Sequence, residues 1–312
     1  MITGNLALML NMLAVAVISL FFFIAIISLF GPSIAKAMKS LSVNNRSNIL
    51  WFLALMPWFG SLAVTALLLL VPTQYFHWHH QYNFSFASWH AVVSLVFMVA
   101  LVTTLIRRLH RGFSLNRQVK ELCNWSLTQT DSVYELPADN ALAFTAGYFQ
   151  PACFISSGLL AQLNSQESQV VRLHELAHAQ RRDPLNKWLF DFVLFVVPKS
   201  TRVILNTEMA VVIEQYADGQ VLAQLQDRCL VALTLVKVAR LNGSNSNTLI
   251  NNHLLCNYGT DGIAARVEEL LNPRPEHQNY IFLACAIFTL IVVAGAFSID
   301  IIHHGVESIL IH

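Results

Sequence analysis

The sequence predicts a mainly α membrane protein with four transmembrane helices, three before and one after a cytoplasmic α+β domain that carries a zinc-binding pattern. Three observations predict it. Of 312 residues, 55% are hydrophobic and 12% are charged, and the mean hydropathy is +0.53. Four apolar runs, at 6–30, 49–71, 89–106 and 280–302, reach the about 20 residues that a helix needs to cross a bilayer. Between the third and fourth runs stands His174-Glu175-Leu176-Ala177-His178. The chain therefore divides into a three-helix membrane region at 1–110, a soluble domain at 111–278, and a fourth helix with a short external tail at 279–312.

The first run has no basic start and is too long for a signal peptide, so it reads as an uncleaved helix. Lys36, Lys39 and Arg46 follow it, and Arg107, Arg108, Arg111, Arg117 and Lys120 follow the third run. The stretch 72–88 between the second and third runs has no lysine or arginine. The positive-inside rule then makes both basic regions, and the domain after them, cytoplasmic. The net charge of +1 carries no further information, since its meaning lies in where the charges sit. The external loop holds His77, Trp78, His79 and His80, and the tail adds His303, His304 and His312. This reads as an aromatic and histidine-rich interface loop, with an external metal or pH sensor as the sharper alternative. None of the five cysteines forms a Cys-x-x-Cys pair, which fits a reducing compartment and suggests neither a disulfide scaffold nor a cysteine metal site.

Within the domain, 133–136, 141–146 and 153–156 read as short strands with turns at 137–140 and 148–151. Beyond Leu159 the pattern is mainly helical. The run 188–197 is broken by Asp191 and stopped by Pro198. It is too short to span, so it is buried or lies at the membrane surface, with a fifth span as the competing reading. The stretch 242–257 is rich in Asn, Ser and Gly and reads as a loop, either a plain surface connection or a cover over the site.

His174 and His178 are four apart, on one helical face, and both imidazoles can reach one zinc ion. Glu175 then stands beside the open metal position, as general base for a water that attacks a peptide carbonyl. The plainer reading is a helix with two ordinary histidines. Asn164-Ser165-Gln166-Glu167 reads as the helix start, with Ser165 as its cap. A third ligand is needed. Glu214 and Asp218 are also four apart on an apolar-rich segment, so Glu214 can complete the zinc site and Asp218 can hold a ligand histidine by its second nitrogen. Alone, the two acids would read as a solvated pair. Asp183 can fix a ligand or a neighbouring arginine, while Arg181 and Arg182 read as interfacial anchors. Tyr216 or a loop residue can support the oxyanion. A substrate strand can add along 143–147.

The run from His174 to Asp183, Ala179-Gln180-Arg181-Arg182 included, followed by Asn186, closely resembles the signature of the bacterial antirepressor metallopeptidases. These form the β-lactam sensor/signal-transducer family of membrane zinc peptidases. Glu214-Gln215-Tyr216-Ala217-Asp218 is similar to the third-ligand motif of that family and of the related membrane CAAX-processing peptidases. Ala143 to Gly147, with Pro151, Phe154, Ile155, Ser156, Gly158 and Leu159, resembles the strand region before the zinc helix there, and Arg266-Val267-Glu268-Glu269-Leu270-Leu271 resembles the closing helix. The resemblance covers most of the chain. It implies a gluzincin-type zinc metallopeptidase domain in the inner membrane of a bacterium, with His174, His178 and Glu214 as metal ligands, Glu175 as catalytic base, and Asp218 and Asp183 behind the ligands. The best-known members carry a large external penicillin-binding domain after the last helix, whereas this sequence ends soon after its fourth run. Direct covalent sensing of β-lactams by this chain is therefore not expected, and a sensing role needs a separate sensor protein or the external loop.

Three function classes follow. The first is a regulatory membrane metalloprotease that cleaves a cytosolic repressor, itself, or both, in signal transduction. The second is a membrane protease of the CAAX-processing or quality-control kind. The third is a non-catalytic membrane signalling scaffold. The intact His-Glu-x-x-His argues against the third, and the Arg-Arg-Asp continuation with the three-plus-one layout favours the first. Partners are the lipid bilayer and a protein substrate. No nucleic acid is contacted directly, and a homo-oligomer is compatible.

Overall fold

The computed structural model describes residues 2–70, 83–84, 89–126, 128–130, 133–243, 256–257, 262–275 and 285–298. It is mostly helical. A short strand, β1 (Ile2–Thr3), pairs with β2 (Asn83–Phe84). Three helices are long and apolar enough to cross a membrane: α1 (Asn5–Ala37), α2 (Val43–Leu70) and α3 (Trp89–Asn124). The 33 residues of α1 and 28 of α2 run about 50 and 42 Å, past the about 30 Å of a bilayer core. The expected boundary at 110 falls inside α3, which continues without a break to Asn124.

Helices α1 and α2 lie close because a glycine lets them. A Cβ added at Gly60 would come within 2.5 Å of the Phe23 ring, which is fully buried between the two helices. Nearby, Ser61 Oγ donates to Ala16 O at 2.6 Å. By contrast, α3 leaves Val92, Leu95, Val96, Val99 and Ile106 exposed, a face suited to lipid rather than water.

Strands β3 (Thr128–Thr130), β4 (Val133–Leu136), β5 (Ala143–Ala146), β6 (Ala152–Ser156) and β7 (Cys256–Asn257) form one sheet in the order β3-β4-β6-β5-β7. Only β4 and β6 run parallel. Burial on both faces makes β5 and β6 continuous small and apolar runs rather than alternating ones. The helices that follow are α4 (Ser157–Leu160), α5 (Ser165–Arg181), α6 (Asp183–Val193), α7 (Lys199–Leu225), α8 (Arg228–Gly243) and α9 (Ile263–Leu271). The expected fourth span is described only over α10 (Cys285–Ser298), a shorter apolar helix whose Val292 and Ala296 join the core of α1 and α2. The histidines at 77–80 and 303–312, and the loop at 244–255, lie outside the described residues.

Two cores meet on α7. Its first half gives Leu205, Met209, Val212 and Ile213 to a core shared with Phe23 and Ile27 of α1 and Leu50 and Leu53 of α2. Its second half gives Val221 to a separate core with Ile155, Val171, Leu235 and Leu270. The run 188–197 is α6 plus a single 3-10 turn, with Phe190 and Leu194 buried in the first core. Val197 is buried there too, while Leu189 on the other side is exposed. Asp191 is tied there by Arg108 of α3 at 2.6 Å and Asn206 of α7 at 2.8 Å.

Gly60→Ala should destabilise the α1–α2 pair by about 1–3 kcal/mol, the usual cost of overpacking. Thermal unfolding in detergent checks it. A midpoint at or above that of the wild type would mean that Phe23 has room to move.

Candidate metal centre

Helix α5 starts from a reciprocal cap. Asn164 Oδ1 accepts from Glu167 N–H at 2.8 Å, and Glu167 Oε2 accepts from Asn164 N–H at 2.9 Å. The cap is thus Asn164 rather than the expected Ser165, because the acid that reaches back must stand three residues on. Lys237 of α8 also holds Glu167, at 2.6 Å, and this bond keeps the carboxyl below the usual range.

From that start the register brings His174 and His178, both buried, onto the face that meets α7. His174 Nε2 lies 3.1 Å from His178 Nε2 and 3.3 Å from Glu214 Oε2, and His178 Nε2 lies 3.6 Å from Glu214 Oε1. These three side chains could hold a metal ion. Both rings face carboxylates on their other side. His174 Nδ1 is 3.0 Å from Asp218 Oδ1, and His178 Nδ1 is 2.8 Å from Asp183 Oδ2. An ionised carboxylate only accepts, so its partner nitrogen carries the proton and each Nε2 presents a lone pair. Two lone pairs and a carboxylate then converge, an arrangement that repels unless a cation lies between them.

Asp183 reaches His178 because the chain turns sharply there. Arg182 ends α5 in the left-handed conformation, φ 52°, and Pro184 starts α6 at once. Asn186 Nδ2 donates to Arg181 O at 3.1 Å and closes the corner. The Arg181 guanidinium lies over the Tyr216 ring, 4.0 Å from the centroid, and 3.7 Å from Asp183. The Tyr216 hydroxyl, a candidate oxyanion donor, bonds Asn44 at the start of α2.

Two residues of the site were given no role by the sequence, although both lie in segments that carry the resemblance. Arg266, 0% exposed, donates from Nε and Nη2 to the two oxygens of Asp218, both at 2.7 Å, and its Nη1 is 3.1 Å from Glu214 Oε2. Burial would raise both carboxyls, but Arg266 outweighs it at Asp218, which falls to about 2. At Glu214, equally buried, the Arg266 guanidinium 3.1 Å away works against burial, and the carboxyl lies well below the usual range. The second is Thr145 of β5, whose Oγ1 donates to Glu175 Oε2 at 2.7 Å. Glu175 Oε1 is buried with no hydrogen-bond partner among the described residues. Burial pushes the Glu175 carboxyl up, against His178, His174 and the Thr145 hydroxyl. Cys153 beside Thr145 is pushed up to about 12 by burial, so its thiol stays protonated and is no nucleophile.

The strand edge at 143–147 is free only in part. β5 has β6 on one side and β7 on the other, with Thr145 opposite Cys256 and Phe144 opposite Asn257. An incoming strand needs unpaired N–H and C=O groups, and at Phe144 and Thr145 β7 stands in its place. No protein-family model matches the chain, and a comparison with curated proteins finds no match either.

Glu214→Ala should abolish most metal binding, while Asp218→Ala should weaken it about 10–100-fold, as loss of a partner behind a ligand does. Metal content of the purified proteins tests both, and full occupancy in Glu214→Ala would remove this ligand. The metal-stripped protein adds a pH test. The folded Asp218 carboxyl lies below its unfolded value of about 3.9, so its stabilisation is complete above about pH 5 and is lost as pH falls toward 2. The gap in thermal midpoint between wild type and Asp218→Asn should therefore be wide at pH 6 and shrink at pH 3. A gap independent of pH would contradict the assignment.

Proposed function

We propose that this chain is a membrane-embedded zinc metalloendopeptidase with a regulatory role, cleaving a cytosolic protein, its own chain, or both. The observation that carries the reading is the convergence of His174 Nε2, His178 Nε2 and the Glu214 carboxylate beside Glu175. Ligand atoms about 2.0–2.1 Å from a tetrahedral zinc stand about 3.3 Å apart. The separations of 3.1, 3.3 and 3.6 Å bracket that value. When bound, zinc supplies a Lewis acid that polarises a carbonyl and acidifies water.

The chain's own residues supply the rest. Thr145 holds Glu175 by Oε2 and leaves Oε1 to work. Oε1 takes a proton from water as it attacks the scissile carbonyl, then returns it to the leaving amine. A buried carboxylate with a raised pKa suits such two-way transfer near neutral pH. Asp218 and Asp183 keep both histidine rings in the ligand tautomer. The pairing of β7 with β5 supports the self-directed arm, since a segment of this chain runs where a substrate strand would lie. The motif resemblance favours a transcriptional repressor as the other substrate and a separate protein as sensor.

The setting is the cytoplasmic membrane of a bacterium, with the site on the cytoplasmic side. Lys39 and Arg46, from the basic turn between α1 and α2, both reach Glu208 of the metal-bearing α7, so turn and site share one side. Cys229 is exposed on α8 and serves as reporter. A membrane-impermeant thiol reagent should label it only after the cells are permeabilised. Labelling of intact cells would reverse the topology.

Glu175→Gln keeps size and polarity but removes the base. The variant should hold metal as the wild type does and lose about 10²–10⁴-fold in cleavage of a co-expressed repressor or of the chain itself. Unchanged cleavage by the metal-loaded variant would sink the protease reading and favour a scaffold.

A further inference from the structure

The turn between α1 and α2 reaches the metal centre through buried polar contacts that neither bundle packing nor the proposed chemistry explains. Arg46, one turn into α2, is 2% exposed. Its Nη1 donates to Gln215 Oε1 at 2.7 Å and its Nη2 to Glu208 Oε2 at 3.2 Å, both on α7. Gln215 follows the ligand Glu214 directly. Its Nε2 donates in turn to Ala265 O of α9 at 2.9 Å. Ala265 precedes Arg266, which holds both Glu214 and Asp218. One side chain from a membrane helix is thus two hydrogen bonds away from the backbone that carries Arg266.

Close packing does only part of this work. Gly262 at the start of α9 meets Val211 of α7, but beyond it a cavity of about 270 Å³ opens between the turn, α7 and α9, lined among others by Ser42, Asn44, Tyr216, Glu269 and Arg274. Beside the cavity, polar bridges from Gln215 and Asp218 to α9 add to that packing. A buried guanidinium is costly unless it is paired, and an apolar side chain would anchor α2 to α7 as well. What an apolar residue cannot do is fix the direction of the Gln215 amide, and through it the register of the two helices.

We infer that Arg46 is a positioning residue for the metal centre. Through Gln215 it sets α7 against α9, and so sets where the Glu214 carboxylate stands between the two histidines. The turn between α1 and α2 is then the point at which membrane helices act on the site. The inference rests on reading the cluster as a metal centre.

The test uses full-length protein in detergent as wild type, Arg46→Met, Arg46→Lys and Trp58→Phe. Trp58 Nε1 donates to Val193 O at 3.0 Å, an inter-helix bond of α2 that leads to α6 and not to Glu214. Zinc affinity is measured by chelator competition, and ligand geometry by the absorption spectrum of the cobalt(II)-loaded protein. Arg46→Met should weaken zinc binding about tenfold, the low end for a residue behind the ligands, and should alter the cobalt spectrum. Arg46→Lys keeps the charge and reaches one acceptor, so it should fall between. Trp58→Phe should change neither. Wild-type affinity and spectrum in Arg46→Met overturn the inference, and so does an equal loss in Trp58→Phe. Should Arg46→Met fail to fold, an unchanged Arg46→Lys overturns it. A wild type that holds no metal overturns the metal-centre reading, and this inference with it.

Discussion

The guanidinium of Arg266, wholly buried between Asp218 and Glu214, is the interaction on which the candidate metal centre depends. Carboxylates in a protein interior repel one another and lose hydration, and left unpaired they take up protons instead of holding charge. A bidentate guanidinium reverses this at Asp218 and steadies Glu214 from the same side. The position of Arg266 depends in turn on how α9 meets α7. Gly262 begins α9 at φ 65°, and a Cβ there would lie 2.6 Å from Val211. The absence of a side chain lets α9 close onto α7 and bring Arg266 to the acids.

Residues four apart on one helix were legible in the sequence, because helical geometry alone places them on one face. That covers His174 with His178 and Glu214 with Asp218, and nearly covers Asp183, which needs only a sharp corner after α5. Contacts made by packing between elements were not legible. Arg266 stands 48 residues from Asp218, Thr145 stands 30 from Glu175, and Arg46 stands 169 from Gln215. Each lies in a segment the sequence singles out, but nothing local tells which distant side chain it meets. The same reason hid β3 and β7, whose three and two residues are too few to show alternation. The long apolar helices α1, α2 and α3 were legible because span length is a property of one segment. The edge of β5 was read as open because only the fold reveals that another strand takes it.

The two halves of α7 place membrane and site on one rigid rod. Leu205 to Ile213 are packed among the apolar helices, and Glu214 to Asp218 begin the polar centre on the next residue. Helix α7 runs unbroken from one to the other. A rotation or shift of the bundle against α5 would carry Glu214 with it, whereas a hinged construction would isolate the ligand set from the lipid phase.

Strand β7 has a kinetic consequence. It belongs to the same chain as β5, so it competes for the β5 hydrogen bonds at an effective concentration of order millimolar, whatever the amount of protein in the cell. For the proposed peptidase, a diffusing substrate present at micromolar levels would start about a thousandfold behind such a tethered rival. It would succeed only by contacts beyond the backbone ladder, through side chains other than those of Cys256 and Asn257. Selectivity would then be built into the occupied part of the edge, as a threshold that weak strand-formers do not pass.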